Sequence, residues 1–280
     1  TVGEVFGAGS SVIKSYTGDQ LDQISNFEMS SGFVNSANGG ANSGINSAVK
    51  FALQDMPDFN FATFLTNHDQ TRAMSVFYGK VDKARLASFL MLTSPGTPFI
   101  YYGEEIGMQG QKPDENIRLP MQWNSDANAG FTTTRPWRAP AKGYEQVNVA
   151  LQSGDSNSLL EHYRRLITLR NSHSALRTGE VILLEPNNSG IYAALCVDDN
   201  ETILVLVNLT DEAITNYAIL LEDAGLAESA YSVETLFGAG QAKGLERNGE
   251  ALPKYKPFEN LDPYAMFVLK LQSATTANPE

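Results

Sequence analysis

The hydrophobic period of this chain changes once, near Arg177, and the change limits the kind of sheet that can form on either side of it. From Thr1 to about Arg177 short β-type runs alternate with helical segments. Parallel neighbours need a crossover connection, so this alternation predicts βα units around a parallel sheet. Beyond Arg177 strand-like runs come at close spacing with turn clusters between them, as in a small antiparallel sandwich. The expected fold class is α/β, with residues 1–177 forming the α/β part, 178–272 a β-sandwich and 273–280 a frayed polar tail.

Four strands are expected in the first part: Thr1 to Phe6, Ile24 to Met29, Phe61 to Thr66, and Pro98 to Tyr102. Helices are expected over Gly44 to Leu53 and over Val81 to Leu92, the latter closed by Pro95-Gly96. A third begins at Ser158, where Glu161 three residues on makes a capping box, and places Leu159, Tyr163, Leu166 and Ile167 on one face. The Gly/Asn/Ser-rich stretch from Gly32 to Ser47 reads as a βα loop rather than an interdomain linker. Strands of the second part are expected at Val181–Leu184, Ile191–Cys196, Thr202–Val207, Ala218–Leu221 and Ala265–Leu271. Glu185 to Gly190 and Asp198 to Glu201 read as the hairpin connections.

Charge removes two classes of function. Thirty-two acidic against 20 basic residues leave a net charge of -12, which repels phosphate backbones and anionic lipid, so nucleic acid and membrane surfaces are excluded as partners. No window approaches 18 uninterrupted apolar residues. The lone cysteine, Cys196, sits in an apolar run and reads as a small buried side chain. One cysteine makes no intrachain disulfide and no cysteine-based metal site.

Chemistry is expected where strands stop. Phe64-Leu65-Thr66 breaks into Asn67-His68-Asp69, followed by Arg72. Taken alone, His68 reads as a satisfied core histidine and Asp69 as a helix cap. The next strand, however, ends in Tyr101-Tyr102-Gly103-Glu104-Glu105 and the first in Gly3-Glu4, so three strand ends carry carboxylates. Acids gathered at one mouth of a barrel suit a reaction that builds positive charge, such as an oxocarbenium-like transition state.

These motifs resemble the α-amylase family of glycoside hydrolases, family 13. Phe64 to Asp69 is similar to that family's fourth conserved region, and Gly96 to Met108 to its eighth barrel strand and following loop. Arg118-Leu119-Pro120-Met121-Gln122-Trp123 with Ala129-Gly130-Phe131-Thr132 resembles a segment shared by oligo-1,6-glucosidases, related α-glucosidases and the α-amylases intermediate between them. The short Gly107 to Arg118 stretch looks more like the intermediate amylases. Thr1-Val2-Gly3-Glu4-Val5, about 60 residues before the Asn-His-Asp, resembles the third conserved region at the end of strand five.

The resemblance implies roles. Glu4 is then the general acid/base, which needs a raised pKa in a partly dry site, and Asp69 the carboxylate that favours the distorted, charged transition state. His68 donates to a sugar hydroxyl, and Arg72 is a substrate-side cation that pairs with Asp69 or neighbouring acids. Asn67 and Arg118 support from behind, Arg118 through a carboxylate near the site. Glu104 and Glu105 are expected to serve structural ion pairs. Trp123, Phe131, Trp137 and Tyr144, in the segment before the last helix, are expected to pack in that loop's core more than to stack on sugars.

The family's nucleophile lies in a Gly-x-Arg-x-Asp motif on strand four, and residues 1 to 280 hold no match to it. Retaining hydrolysis needs an acid and a nucleophile about 5 Å apart, so the expected fold is the C-terminal half of a (β/α)8 barrel, strands five to eight, followed by the sandwich. A half barrel leaves two open edges and an uncovered interior, which predicts a partner: the missing N-terminal half, on the same or a separate polypeptide, or a second copy. The chain by itself is expected to be inactive. The substrate is expected to be a starch-like α-glucan or maltooligosaccharide, with α-glucosidase, oligo-1,6-glucosidase and trehalose-synthase-like transglycosylase as alternatives, and a non-catalytic amylase-like subunit as the alternative of another class. No cofactor is assigned; calcium belongs only to the missing upstream part. Location is left open, secreted or periplasmic being favoured over cytoplasmic.

Overall fold

The computed structural model describes all residues except 57, 222–224, 227–229, 247–253 and 274–280. Strands β1 (Val2–Gly3), β2 (Gln23–Ser25), β3 (Phe61–Thr63) and β4 (Thr97–Pro98) form a parallel sheet in that order. Register runs through Gly3 opposite Ile24, Ser25 opposite Ala62 and Thr63 opposite Pro98. Each pair aligns its C-terminal ends, so Glu4, Asn26, Phe64 and Phe99 leave the sheet on one side. Among the described residues β1 and β4 each pair on one side only.

The strands are shorter than the apolar runs that announced them. The run Ile24 to Met29 does not continue as a strand: Asn26 Oδ1 accepts the Met29 N–H at 3.0 Å and starts α2 (Phe27–Gly39), following the short α1 (Ser10–Ile13). An asparagine at the cap satisfies an N–H that the helix cannot, which turns the chain from strand to helix in one residue. The Gly/Asn/Ser-rich stretch is therefore not a loop. It is the body of α2 and the start of α3 (Ser43–Asp55), broken at Gly40, whose φ of 70° closes α2. Its small residues serve helix contact: a Cβ on Gly32 would lie 2.8 Å from that of Ala48.

After α4 (Ala73–Val76), α5 (Val81–Thr93) is apolar on most faces because it packs against both α2 and α8 (Leu159–Ser172). Short helices α6 (Asp114–Ile117) and α7 (Val149–Gln152) lie in the segment between β4 and α8. The capping box at α8 is half made. Ser158 Oγ accepts from Glu161 N at 3.1 Å, but the Glu161 carboxylate accepts from Gly154 N rather than returning to Ser158.

Beyond α9 (Ala175–Thr178) an antiparallel sheet is ordered β10-β11-β8-β7-β5, built from β5 (Glu180–Leu183), β7 (Ile191–Val197), β8 (Thr202–Asn208), β10 (Tyr231–Phe237) and β11 (Met266–Ser273). A ribbon of β6 (Glu185–Pro186) and β9 (Ile219–Leu220) accompanies it, so Glu185-Pro186 is strand rather than hairpin turn. The β10 strand was not expected, although its buried Tyr231 and Val233 alternate with exposed Ser232 and Glu234. The Asp198 to Glu201 turn is closed by Asp198 N on Glu201 O at 3.1 Å. Ser273 ends β11; the rest of the tail expected to fray lies outside the described residues.

Both faces of β7 and β8 are buried. Tyr192, Ala194, Cys196, Ile203, Val205 and Val207 join the core of the α/β part, while Ile191, Ala193, Leu195, Leu204 and Leu206 face a second core. Cys196 is enclosed, and burial pushes its thiol up to about 12, which removes it as a nucleophile.

Candidate active site

The strand ends bring two of the sequence motifs to one cleft. Glu4 follows β1 and the Asn67-His68-Asp69 turn follows the β3 run. Glu4, Asn67 and His68 line a cleft of about 200 Å³ with Phe64, Phe99 and Tyr101. Asn67 Nδ2 faces Glu4 Oε2 at 3.4 Å, and Asn67 Oδ1 accepts the Asp69 N–H at 2.9 Å, so one side chain ties the acid to the turn. Glu4 is exposed, without the partly dry surroundings expected of it. His68 Nε2 is 3.5 Å from Asp69 Oδ2, both side chains about half exposed.

Arg118 grips the turn from the far side. Its Nη2 donates to Asp69 Oδ1 at 2.6 Å and to Asp114 Oδ2 at 2.8 Å, and its Nε donates to His68 O at 2.8 Å. Lys112 pairs with the other oxygen of Asp114, and that hydrogen bond, ahead of the Arg118 charge, holds the Asp114 carboxyl below its ordinary value. Exposed pairs of this kind add little stability, so their effect here is orientation. Asp114 was not singled out in the sequence, yet its spacing of four residues from Arg118 across α6 was a readable signal.

Arg72 is a correction. It neither reaches the cleft nor pairs with Asp69, but is 1% exposed. Its Nε donates to Ile117 O at 2.9 Å and its Nη1 to Tyr102 O at 2.7 Å. The guanidinium lies 4.4 Å from the Tyr101 ring centroid and 4.8 Å from that of Tyr102.

Glu104 is not an ion-pair partner either. It is buried, accepts from Tyr163 Oη at 2.9 Å, and burial raises its carboxyl to about 8, with the Tyr163 bond opposing. A carboxyl there is neutral at pH 7. Burial also raises Glu105. The loop aromatics are exposed rather than packed: Trp123 50%, Phe131 45% and Trp137 60%, with Tyr144 half-buried. No group of three or more His, Cys, Asp or Glu among the described residues is placed to hold a metal ion.

Residues 1–179 match the family model for the α-amylase catalytic domain. The chain belongs to the α-amylase family, glycoside hydrolase family 13. Members of this family hydrolyse α-glucosidic bonds. Among its relatives, Alpha-amylase 3 of Dictyoglomus thermophilum is 36% identical over 214 residues, which cover 74% of this chain and 42% of the relative. The oligo-1,6-glucosidase of Heyndrickxia coagulans is 28% identical over 295 residues, covering 80% and 52%. The crystal structure of the α-amylase from H. orenii superposes with a TM-score of 0.77 at 29% identity, over 97% of this chain and 53% of that one. The chain thus spans about half the length of the family-13 relatives it matches.

Proposed function

We propose that this chain supplies the acid/base and transition-state-stabilising side of a retaining α-glucan hydrolase of the α-amylase type. The observation that carries the reading is the shared cleft: Glu4, beyond β1, and Asn67 and His68, beyond β3, line it across the intervening β2, and Asn67 joins the acid to the turn at 3.4 Å. Glu4 protonates the glycosidic oxygen as the bond breaks and then takes the proton of the incoming water. Asp69, oriented by Arg118, stabilises the positive charge that develops on the sugar, and His68 donates to a sugar hydroxyl. The attacking carboxylate comes from outside the 280 residues. The four-stranded sheet is read as strands five to eight of a (β/α)8 barrel, whose other four close it against the free sides of β1 and β4. Closing the barrel also covers Glu4 and supplies the drier surroundings an acid/base needs. Maltooligosaccharides are the proposed substrates, supported by the 36% identity to an α-amylase and the short segment before Arg118.

The test is made in the completed barrel. Glu4→Gln lowers kcat on maltoheptaose by about 10²- to 10⁴-fold. In kcat/KM, which reports the bond-breaking step alone, it loses far less on a glucosyl fluoride, whose leaving group needs no proton, than on maltoheptaose. Asp69→Asn lowers kcat on both substrates. Equal losses of kcat/KM on both for Glu4→Gln would remove the acid role, and wild-type kcat for either variant would remove that residue from the site.

A further inference from the structure

The geometry points to Arg72 as the residue that positions Asp69, acting through Ile117 and Arg118; the inference rests on the role proposed for Asp69 above. The contacts close a circuit. Asp69 Oδ1 accepts from Arg118, Arg118 is peptide-bonded to Ile117, Ile117 O accepts from Arg72 Nε, and Arg72 returns to Asp69 through Gln70 and Thr71. The Arg72 backbone N–H also donates to Gly110 O at 3.0 Å, fixing the start of the segment that carries Arg118.

Both neighbours of Arg118 are held independently. Ile117 O accepts a second bond from Tyr101 Oη at 3.0 Å, and Leu119 O accepts from Tyr102 Oη at 2.7 Å. Those two tyrosines are the rings that flank the Arg72 guanidinium. Strand end, turn and Arg118 segment therefore meet on one buried cation.

A cation is an expensive way to fill that space. Burial of a guanidinium is unfavourable unless its donors are matched, and here its matched partners are main-chain carbonyls while Nη2 has none among the described residues. An apolar side chain would fill the volume at less cost but would direct no carbonyl. The planar fork sends Nε and Nη1 to two different segments while its faces rest on two rings, a geometry that the single ammonium of lysine does not reproduce. Arg72 touches no substrate position, so it is a positioning residue.

Two readouts test this. In the 280-residue chain, the Arg118 Nε–H, bonded to His68 O at 2.8 Å, gives a protected ¹⁵N-edited NMR signal, assigned by its loss in Arg118→Lys. Arg72→Lys is expected to speed its exchange at least tenfold. In the completed barrel, assayed well below the melting temperature, Arg72→Lys is expected to lower kcat about 100-fold with KM nearly unchanged, since a misplacement of about 1 Å has that cost. Adding Arg118→Lys should then lower it little further. Should Arg72→Lys fail to fold, Tyr101→Phe loosens the same Ile117 carbonyl and should speed the exchange and lower kcat in the same direction. Unchanged exchange, unchanged kcat or fully additive losses would overturn the proposal. A wild-type barrel without glucan hydrolysis would overturn the function proposed for Asp69, while the exchange measurement would still decide whether Arg72 holds Arg118.

Discussion

At the scale of single residues, the strand-end carboxyls differ in burial, and burial sets the protonation of Glu104. Glu4 and Asp69 are open to solvent, whereas Glu104, from the same side of the sheet, is enclosed against Tyr163. Burial raises Glu104 from 4.5 to about 8, so the native state keeps a proton that the unfolded chain has released. The stability tied to that proton is complete below about pH 4.5 and is lost as pH rises towards 8, of order a few kcal/mol in all. Glu104→Gln keeps an acceptor for Tyr163 and removes the titration. Urea unfolding between pH 5 and 8 should show the wild type losing stability that the variant retains; parallel pH profiles would contradict the assignment. The sequence located these acids at strand ends and did not distinguish them. Depth beneath α8 sets Glu104 apart, and its partner Tyr163 lies 59 residues away. Arg72 was misjudged for the same reason: its partners, Tyr102 and Ile117, come from segments 30 and 45 residues on.

At the scale of elements, what could be read was local. The α3, α5 and α8 helices announce themselves by their apolar patterns, α8 also by its Ser158 cap, and β7 and β8 by continuous apolar runs. The α2 helix was hidden because its glycines and serines are selected for close approach to α3 rather than for propensity. The strand at Tyr231–Phe237 alternates only over its first half and then bulges between Thr235 and Phe237, which blurs the period. The α8 cap gives a direct check. Ser158 Oγ both accepts from Glu161 N and donates to Gln152 O at 2.8 Å, so Ser158→Ala should cost about 1 to 2 kcal/mol by thermal unfolding. Glu161→Ala should cost less, because among the described residues the Glu161 carboxylate accepts from Gly154 N and pairs with the exposed Arg164 rather than returning to Ser158. A larger loss at Glu161 would mean that the box closes after all.

At the scale of the whole molecule, the antiparallel sheet shares a core with the α/β part, so the parallel sheet rests on a firm support although its own two edges are unpaired among the described residues. That combination suits a preformed half of a site awaiting its counterpart. The decisive measurement is hydrolysis of maltoheptaose, followed by ¹H NMR of the first product, by the chain alone and by the chain completed with four βα units that bring a carboxylate to within about 5 Å of Glu4. The account predicts no turnover by the chain alone, and turnover by the completed barrel with the α configuration retained. Hydrolysis by the 280 residues alone, or an inverted product from the completed barrel, would contradict it.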